Sequence, residues 1–550
     1  FGTSGSVLVC SNKRFYHQIK TFGGPLTFSA QLEPSAVGAA IASADIHLSD
    51  EIYALQEDLE KRIGYFNSLL AGSRLPLIAK NSSPVFYIGT GLPATGYFFV
   101  KRLMDEGFFV NLGLFPAIPV KNTGVRITLS THNELEDIER LKNTLSRNFD
   151  MALAATGNSM ERIGKAFHID FHKEKPVASN KERLRLQAFG SISEIDILLW
   201  NKTMGKNNIL DWEGLHFLEN SFKDNPEHEH NWNFRYVQIL DDFNQPILMG
   251  FLTEALWKND MLSPASISKK IEEQRKQDPY AQTSRVLALG CLFTEGKHLY
   301  INSDHPQAKE AVTCFLEYIE DLGQKLGVTL TVLRDFNTDS PWSKIFQEQG
   351  YIPIDMPDSC VLFDLDKKND ADYSIYLSKR SQKHFRKDIQ PYLSLSKAQV
   401  ITSPSTKNIQ TFYELYKQVK AKNTGLNTFT YPVGVFQNMA KHPNWEFIAL
   451  KSVPGARILG VMFCYKNYSG TYVPSLVGLD YRYLKEYNTY RQLLYQTILR
   501  ARRLKFINVD FGISASFEKR KLGAAPIPKQ AFLQTNDNFL LEELEMMRSS

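Results

Sequence analysis

Four places in the sequence carry side chains that could do chemistry. Arg126 stands in the strand-like run GVRITLS, where a guanidinium fork can take a carboxylate through two parallel hydrogen bonds. The plainer alternative is a surface arginine paired with a nearby acid. Asp510 closes the apolar run INVDFG, as a carboxylate beside a site or, the commoner use, as a cap on the following turn. Lys519 lies among other basic residues in FEKRKLGAAP, a setting in which charge usually forms solvated surface. The stretch KRSQKHFRK sets Arg380, Lys383 and Lys387 near helical spacing. It reads either as a solvated helix face or as a docking face for an anionic carrier or lipid headgroup.

Other tempting groups are set aside. PEHEHNW (His228, His230) is short and loop-like, and FHIDFH (His168, His172) alternates like a strand without a carboxylate companion. Metal centres recruit several residues in a defined shell, so no metal site is expected. IGTGLPATG reads as a strand turning into a helix with no phosphate-loop lysine after it. Five cysteines, at 10, 291, 314, 360 and 464, show no short spacing. They form neither a disulfide framework nor a zinc motif, which points to a reducing compartment, with the cytoplasm as the default. Cys291 and Cys464 sit on apolar strands as small core residues.

These residues need elements to position them, and the chain is long enough to build several. At 550 residues it should hold two to four domains, with an ordinary 43% hydrophobic and 22% charged composition. A net charge of +5 spread over this length gives no case for a nucleic-acid binder. No apolar run approaches the roughly 20 residues that span a bilayer. Over residues 1–148, strand-like runs (SVLVC, SPVFYIG, FFVNLG, GVRITLS) alternate with helical ones. A long helix is expected from Pro34 through NSLL, then ATGYFFVKRLMDEG closed by Gly107, then NELEDIERLKNTLSRNF with an acidic first turn. Residues 149–189 read as a basic linker. Segments 190–370 and 371–550 then repeat one rhythm of meander strands, helix and strand, as a structural duplication would.

FGTSGSVLVCS, GGPLTFSAQLEPS and LFPAIPVKNTGVRITLSTHNELEDIERL together resemble the C-terminal part of the α-oxoamine synthases, fold-type I pyridoxal-phosphate (PLP) enzymes. The resemblance implies a Schiff-base lysine two residues before Phe1, so that the chain is expected to be a fragment whose PLP half is inert alone. In the whole protein PLP would act as an electron sink for condensing an amino acid with an acyl thioester. Arg126 matches the second arginine of the family's R-x-R strand, which takes the substrate α-carboxylate; Gly124 replaces the first. Ser29 matches the loop through which one subunit reaches its partner's PLP phosphate, which implies a homodimer. Ala30 replaces the phosphate-contacting threonine of that loop.

ADYSIYLSKRSQKHFRKDIQ, SKIFQEQGYIPI and FGISASFEKRKLGAAP resemble segments of GNAT-related, Fem-like acyltransferases over residues 190–550. The fold class expected is therefore α/β and α+β multidomain: the C-terminal lobe of a fold-type I PLP enzyme followed by two GNAT-like mixed-sheet modules. In such a module a gap between two central strands exposes backbone amides to a thioester carbonyl, and a helix N-terminus receives phosphates. RILGVMFCYK and TYVPSLVGLD are placed for this in the second module. The usual Gly-rich pyrophosphate loop is missing, because LDYRYLKEYNTYRQLL stands at its place. Lys519 matches the K-x-x-L-G-A position, which implies a hold on a phosphate or carboxylate, or on a developing oxyanion.

The function expected is acyl transfer, by a protein that joins PLP-dependent condensation to a GNAT-type step. Acyl-CoA or an acyl carrier protein thioester would be the co-substrate, with an amino acid and, where the thioester is carrier-bound, the acyl carrier protein as partners. Two alternatives stand beside it: a non-catalytic carrier-docking module, and a Fem-like aminoacyl transferase.

Overall fold

Period-two runs bounded by turn residues become strands through most of the chain, and 3.6-residue runs become the helices packed on them. The structure, a computed structural model, describes residues 2–5, 8–24, 32–169, 184–206, 209–368, 372–423, 425–535, 537, 540, 543, 544 and 547. The chain divides into two compact units. One comprises Phe1–Leu114 with Lys121–Lys175, the other Phe115–Val120 with Pro176–Ser550.

In the first unit, strands β1 (Val85–Gly91), β2 (Asn111–Gly113) and β3 (Thr123–Thr128) form an antiparallel sheet in the order β1-β3-β2. Helices Glu51–Ala71, Pro93–Asp105 and Leu135–Thr156 bury Phe66, Phe99 and Leu145 with Phe86, Ile88 and Val125 of the sheet. The single helix expected from Pro34 is two, Pro34–His47 and Glu51–Ala71. At the break the Ser49 hydroxyl donates to Ile46 O (3.0 Å) and accepts from Glu51 N (3.3 Å), the local competition by which serine disfavours helix interiors. No strand forms over residues 8–10 of SVLVC; residues 6 and 7 lie outside the described residues.

The unstructured linker expected over 149–189 is corrected at both ends. Helix Leu135–Thr156 runs past residue 148, and a further helix spans Met160–Phe167. That helix starts on Ser159, whose side chain accepts from Arg162 N, and ends at His168 in the left-handed conformation. His168 is thus a helix end rather than a strand residue; His172 lies outside the described residues. At the other end, β4 (Arg185–Phe189) is a strand.

The second unit is built on one mixed sheet of thirteen strands. Its first half uses β4, β5 (Asn233–Leu240), β6 (Pro246–Lys258), β7 (Thr283–Leu289), β8 (Leu299–Ile301), β9 (Leu330–Asn337) and β10 (Ile352–Leu362). Its second half uses β11 (Ser396–Ile401), β12 (Trp445–Ser452), β13 (Ile458–Lys466), β14 (Thr471–Leu479), β15 (Asn508–Asp510) and β16 (Ala525–Gln534). The order is β11-β12-β13-β14-β15-β10-β16-β9-β7-β6-β5-β4, with β8 on β6. Most ladders are antiparallel; β7–β9 and β14–β15 are parallel.

The two modules therefore share a sheet instead of closing separately. The last strand among the described residues, β16, inserts between β9 and β10 and completes the first module. β10 pairs with β16 along most of its length and with β15 only at Val361 and Leu362. Helix Ala308–Leu326 buries Ala311, Val312, Phe315 and Ile319 against the first half. Helices Thr406–Lys422 and Thr489–Arg503 bury Phe412 and Leu415, and Leu493 and Ile498, against the second. Among the described residues no helix is long and apolar enough to cross a membrane.

Candidate active site

The parallel pair β14–β15 is short. It matches Thr471 with Asn508 and Tyr472 with Val509, and then the two strands part. A cavity of about 180 Å³ opens in the gap, walled by residues 473–477 of β14 and by 510–514 after β15. Helix Thr406–Lys422 contributes Tyr416 and Lys420, and the first module contributes Thr294 and Glu295 from the loop after β7. The Tyr431 hydroxyl donates to Leu292 O (3.0 Å), tying that loop to the second module. The gap expected at the strands RILGVMFCYK and TYVPSLVGLD is displaced by one strand: β13 and β14 pair along their length, and the opening lies between β14 and β15.

Lys519 is buried, 3% exposed, not the solvated loop residue that its basic neighbours suggest. Its Nζ donates to Phe511 O (2.7 Å), Gly512 O (3.1 Å) and Ile513 O (2.6 Å). An ammonium has three protons to give, so all three are committed to the loop that forms one cavity wall. Burial pushes the Lys519 ammonium below the ordinary lysine value, and the nearby Glu295 charge opposes that shift. Asp510 caps the turn by accepting from Gly512 N (2.9 Å) and also faces the cavity.

Glu295 meets this loop from the other module. Gly512 has φ +64°, and a Cβ placed on it would lie 2.5 Å from Glu295 Oε2. Only glycine accommodates both the left-handed backbone and the carboxylate. Burial, reinforced by the Asp335 charge, raises the Glu295 pKa well above the carboxylate range, while the Arg334 and Lys519 charges pull the other way. On β14, Ser475 Oγ is buried without a hydrogen-bond partner among the described residues, and it lines the same cavity. Lys420 donates to Thr428 Oγ1 (2.6 Å); burial first, then the Lys258 charge, lowers its pKa to about 7.

The first module handles its own parallel pair differently. β7 and β9 stay matched for four residue pairs, to Leu289 with Leu333. Just beyond, the Arg334 guanidinium crosses to Cys291 O, Arg334 Nε lies 3.0 Å from Asp335, and His298 Nε2 lies 2.7 Å from Asp335 Oδ2. All three side chains are buried. A polar recess of about 360 Å³ lies outside this crossing, lined by Lys297, Ser303, Asn337 and Trp342.

The start of helix Thr489–Arg503 is tied down by the protein itself. Asn488 Nδ2 donates to Asp388 O (2.9 Å) and Gln492 Nε2 to Ile389 O (2.8 Å). Arg491 binds the Glu518 carboxylate through two bonds, 2.6 and 2.8 Å.

In the first unit Arg126 is exposed on β3, opposite Tyr87 of β1 and Asn111 of β2. Gly124 explains why the first arginine of the pattern is missing. A Cβ there would stand 2.4 Å from the Tyr87 ring and 2.7 Å from Ile88 O. Ser29 and Ala30 lie outside the described residues. Of the residues matched to a PLP-dependent site, the described ones are thus Gly124 and an exposed Arg126. His230 is buried beside Glu229, 4.0 Å away. Among the described residues no group of three or more His, Cys, Asp or Glu side chains could hold a metal ion.

Glu295 and Ser475 were not legible in the sequence. Glu295 sits in CLFTEGKHLY with no acidic or basic partner at a telling spacing, and Ser475 interrupts an apolar strand. Both belong to the site only because β14 and β15 separate and the loop after β7 fills in beside them.

No protein-family model matches the chain. It is 30% identical over 150 residues to 8-amino-7-oxononanoate synthase of Maricaulis maris (strain MCS10), covering 27% of this chain and 36% of that protein. The chain thus spans about a third of the length of that relative. FemX aligns over 57% of this chain and 90% of its own, at 12% identity and a TM-score of 0.39. The C-terminal domain of a putative lysylphosphatidylglycerol synthetase from Agrobacterium fabrum aligns over 65% and 96%, at 8% identity and a TM-score of 0.38. Part of the chain is thus similar in sequence to part of 8-amino-7-oxononanoate synthase.

Proposed function

We propose that the unit of residues 176–550 is an acyltransferase that moves an acyl or aminoacyl group from a thioester or ester onto an amine, in the cleft of its second module. The observation that carries this reading is the meeting of Glu295 with the Phe511–Ile513 loop at the mouth of the β14–β15 gap. A carboxylate held above its usual pKa is matched to taking a proton near neutral pH. As the amine attacks the carbonyl carbon, Glu295 takes its proton. The β14 edge and the Ser475 hydroxyl face the oxygen on which charge develops. When the C–S or C–O bond breaks, the proton passes from Glu295 to the departing thiol or alcohol. Lys519 is a positioning residue, because its ammonium fixes the three carbonyls of the loop that Glu295 abuts.

The covered start of helix Thr489–Arg503 supports a donor other than coenzyme A in the usual pyrophosphate seat. A carrier-protein thioester or an aminoacyl ester fits better. The same covering favours a second reading, in which the cleft binds the carrier without turnover. In the whole protein the first unit would contribute Arg126 to the α-carboxylate of an amino acid condensed by a PLP-dependent centre, working as a homodimer. The described residues of that unit would be inert alone.

The test is to offer the full chain an acyl-CoA, an acyl carrier protein thioester and an aminoacyl ester, each with an amine acceptor. Turnover with one of the latter two, lost in Glu295→Gln, supports transfer. Thioester binding with no turnover supports the docking reading. Neither binding nor turnover overturns both.

A further inference from the structure

Helix Lys379–Asp388 carries five cations in ten residues, Lys379, Arg380, Lys383, Arg386 and Lys387, all exposed. Its one acid, Asp388, is turned to His384 Nδ1, 2.7 Å away. Asp372, just ahead of the helix, lies near enough to feel the Arg386 charge. Among the described residues, no salt bridge within 4 Å engages any of the five.

Such a helix is poorly arranged for its own stability. Lys379, Lys383 and Lys387 follow one another at four-residue steps, and Arg380, Lys383 and Arg386 at three-residue steps. Like charges at these spacings are neighbours and destabilise a helix. Lys379 and Arg380 also occupy the first turn, where the dipole favours anions. What holds the helix is its buried side, His384 and Phe385, together with the Ser378 cap. The cationic face is complementary to something negative.

Two exposed apolar side chains flank it. Ile375, 52% exposed, stands in the turn just before the helix, and Phe517 is 60% exposed. Lys521 joins Phe517 to the helix, with its Nζ 3.2 Å from His384 Nδ1 and 4.2 Å from the Phe517 ring centre. Cations beside projecting aromatic and aliphatic side chains suit a lipid headgroup layer. There the charges meet phosphates while the apolar groups enter the boundary with the acyl chains. An acidic protein would satisfy the cations and leave that apolar pair unused. We propose that this face docks the protein on an anionic phospholipid surface.

The experiment is flotation of the full chain with vesicles of phosphatidylcholine alone and of phosphatidylcholine mixed equally with phosphatidylglycerol. Binding is expected only to the mixed vesicles, weakened by salt. It should fall on the order of a hundredfold in the triple variant Lys379→Gln, Lys383→Gln, Lys387→Gln, and also fall in Phe517→Ser. The triple variant should melt close to the parent's temperature, because relief of like-charge contacts offsets the loss of Lys387 from the last turn, so its loss of binding is not loss of fold. Equal binding to both vesicles, no binding by the parent, or unchanged binding by the triple variant overturns the proposal. So does capture of an acidic acyl carrier protein by a parent that ignores the mixed vesicles.

Discussion

Glu295 of the first module lies against Gly512 of the second so closely that a Cβ on Gly512 would stand 2.5 Å from Glu295 Oε2. The contact sets a general-base candidate on one module against the loop of another, and it makes Gly512 a sensitive position. Gly512→Ala should cost about 1–2 kcal/mol of stability for its left-handed backbone. Turnover should fall by considerably more than that loss explains, because the methyl group displaces the carboxylate. Melting temperature and steady-state rate on one preparation separate the two effects.

Glu295→Gln removes the proton acceptor while keeping shape and volume. Turnover should fall by about 10²–10⁴-fold, the usual share of a positioned acid–base group. The pH profile carries the sign. The parent rate should rise with pH as Glu295 deprotonates, with a midpoint above the ordinary glutamate range because burial raises its pKa. The variant should lose that rising limb. A limb that survives assigns the base elsewhere.

Lys519→Met leaves three buried carbonyls without their donor. Stability should drop by about 2–3 kcal/mol, the cost of removing a charged hydrogen-bond donor. Amide exchange across residues 511–514 should quicken. If Lys519 instead gripped an anionic substrate, KM would rise with little change in melting temperature, and the positioning role would be wrong.

The strands and helices around the site were largely legible, because β5, β6, β7, β12, β13 and β14 carry apolar runs bounded by turns. A motif singles out Lys519 in the sequence but not its surroundings: nothing local distinguishes an ammonium bound to three carbonyls from one in water. Glu295 depends on a contact across some 217 residues of chain, which no spacing rule reaches. β16 escaped for a different reason. APIPKQAFLQ holds Pro526 and Pro528, and proline argues against a strand inside a sheet. Yet Pro526 and Pro528 both precede the β9 ladder, which begins at Lys529, and on the other edge a bulge between Met356 and Ser359 loosens the ladder to β10.

Lys420 gives a separate handle on stability. Its folded pKa is lowered to about 7, against roughly 10.4 in an unfolded chain. Between these values the unfolded chain holds the extra proton, so this lysine makes stability rise with pH across that window; below it the burial penalty is felt in full. Lys420→Met removes the dependence. The melting temperature of the parent should therefore gain on the variant between about pH 7 and pH 9. A constant difference would mean that Lys420 keeps an ordinary pKa in the folded protein.

The inserted strand β16 binds the two modules into one fold. β16 supplies the partner for both β9 and β10, with Phe532 opposite Leu333 and Pro353. Phe532 is fully buried beside Phe336 and Phe346. Residues 190–370 hold every other strand of the first module except β4, so sequence bookkeeping alone would let that segment fold by itself. Without β16 it leaves two facing edges unpaired and an aromatic cluster open, which leads to aggregation rather than folding. A chain ending at Ala524 should be insoluble or lose its cooperative melting transition, and a peptide of residues 525–535 added during refolding should restore part of it. In the full chain, Phe532→Ala should cost about 3–5 kcal/mol and lower one cooperative transition spanning both modules. Soluble, cooperatively melting 190–370 protein would show that the first module closes without the last strand.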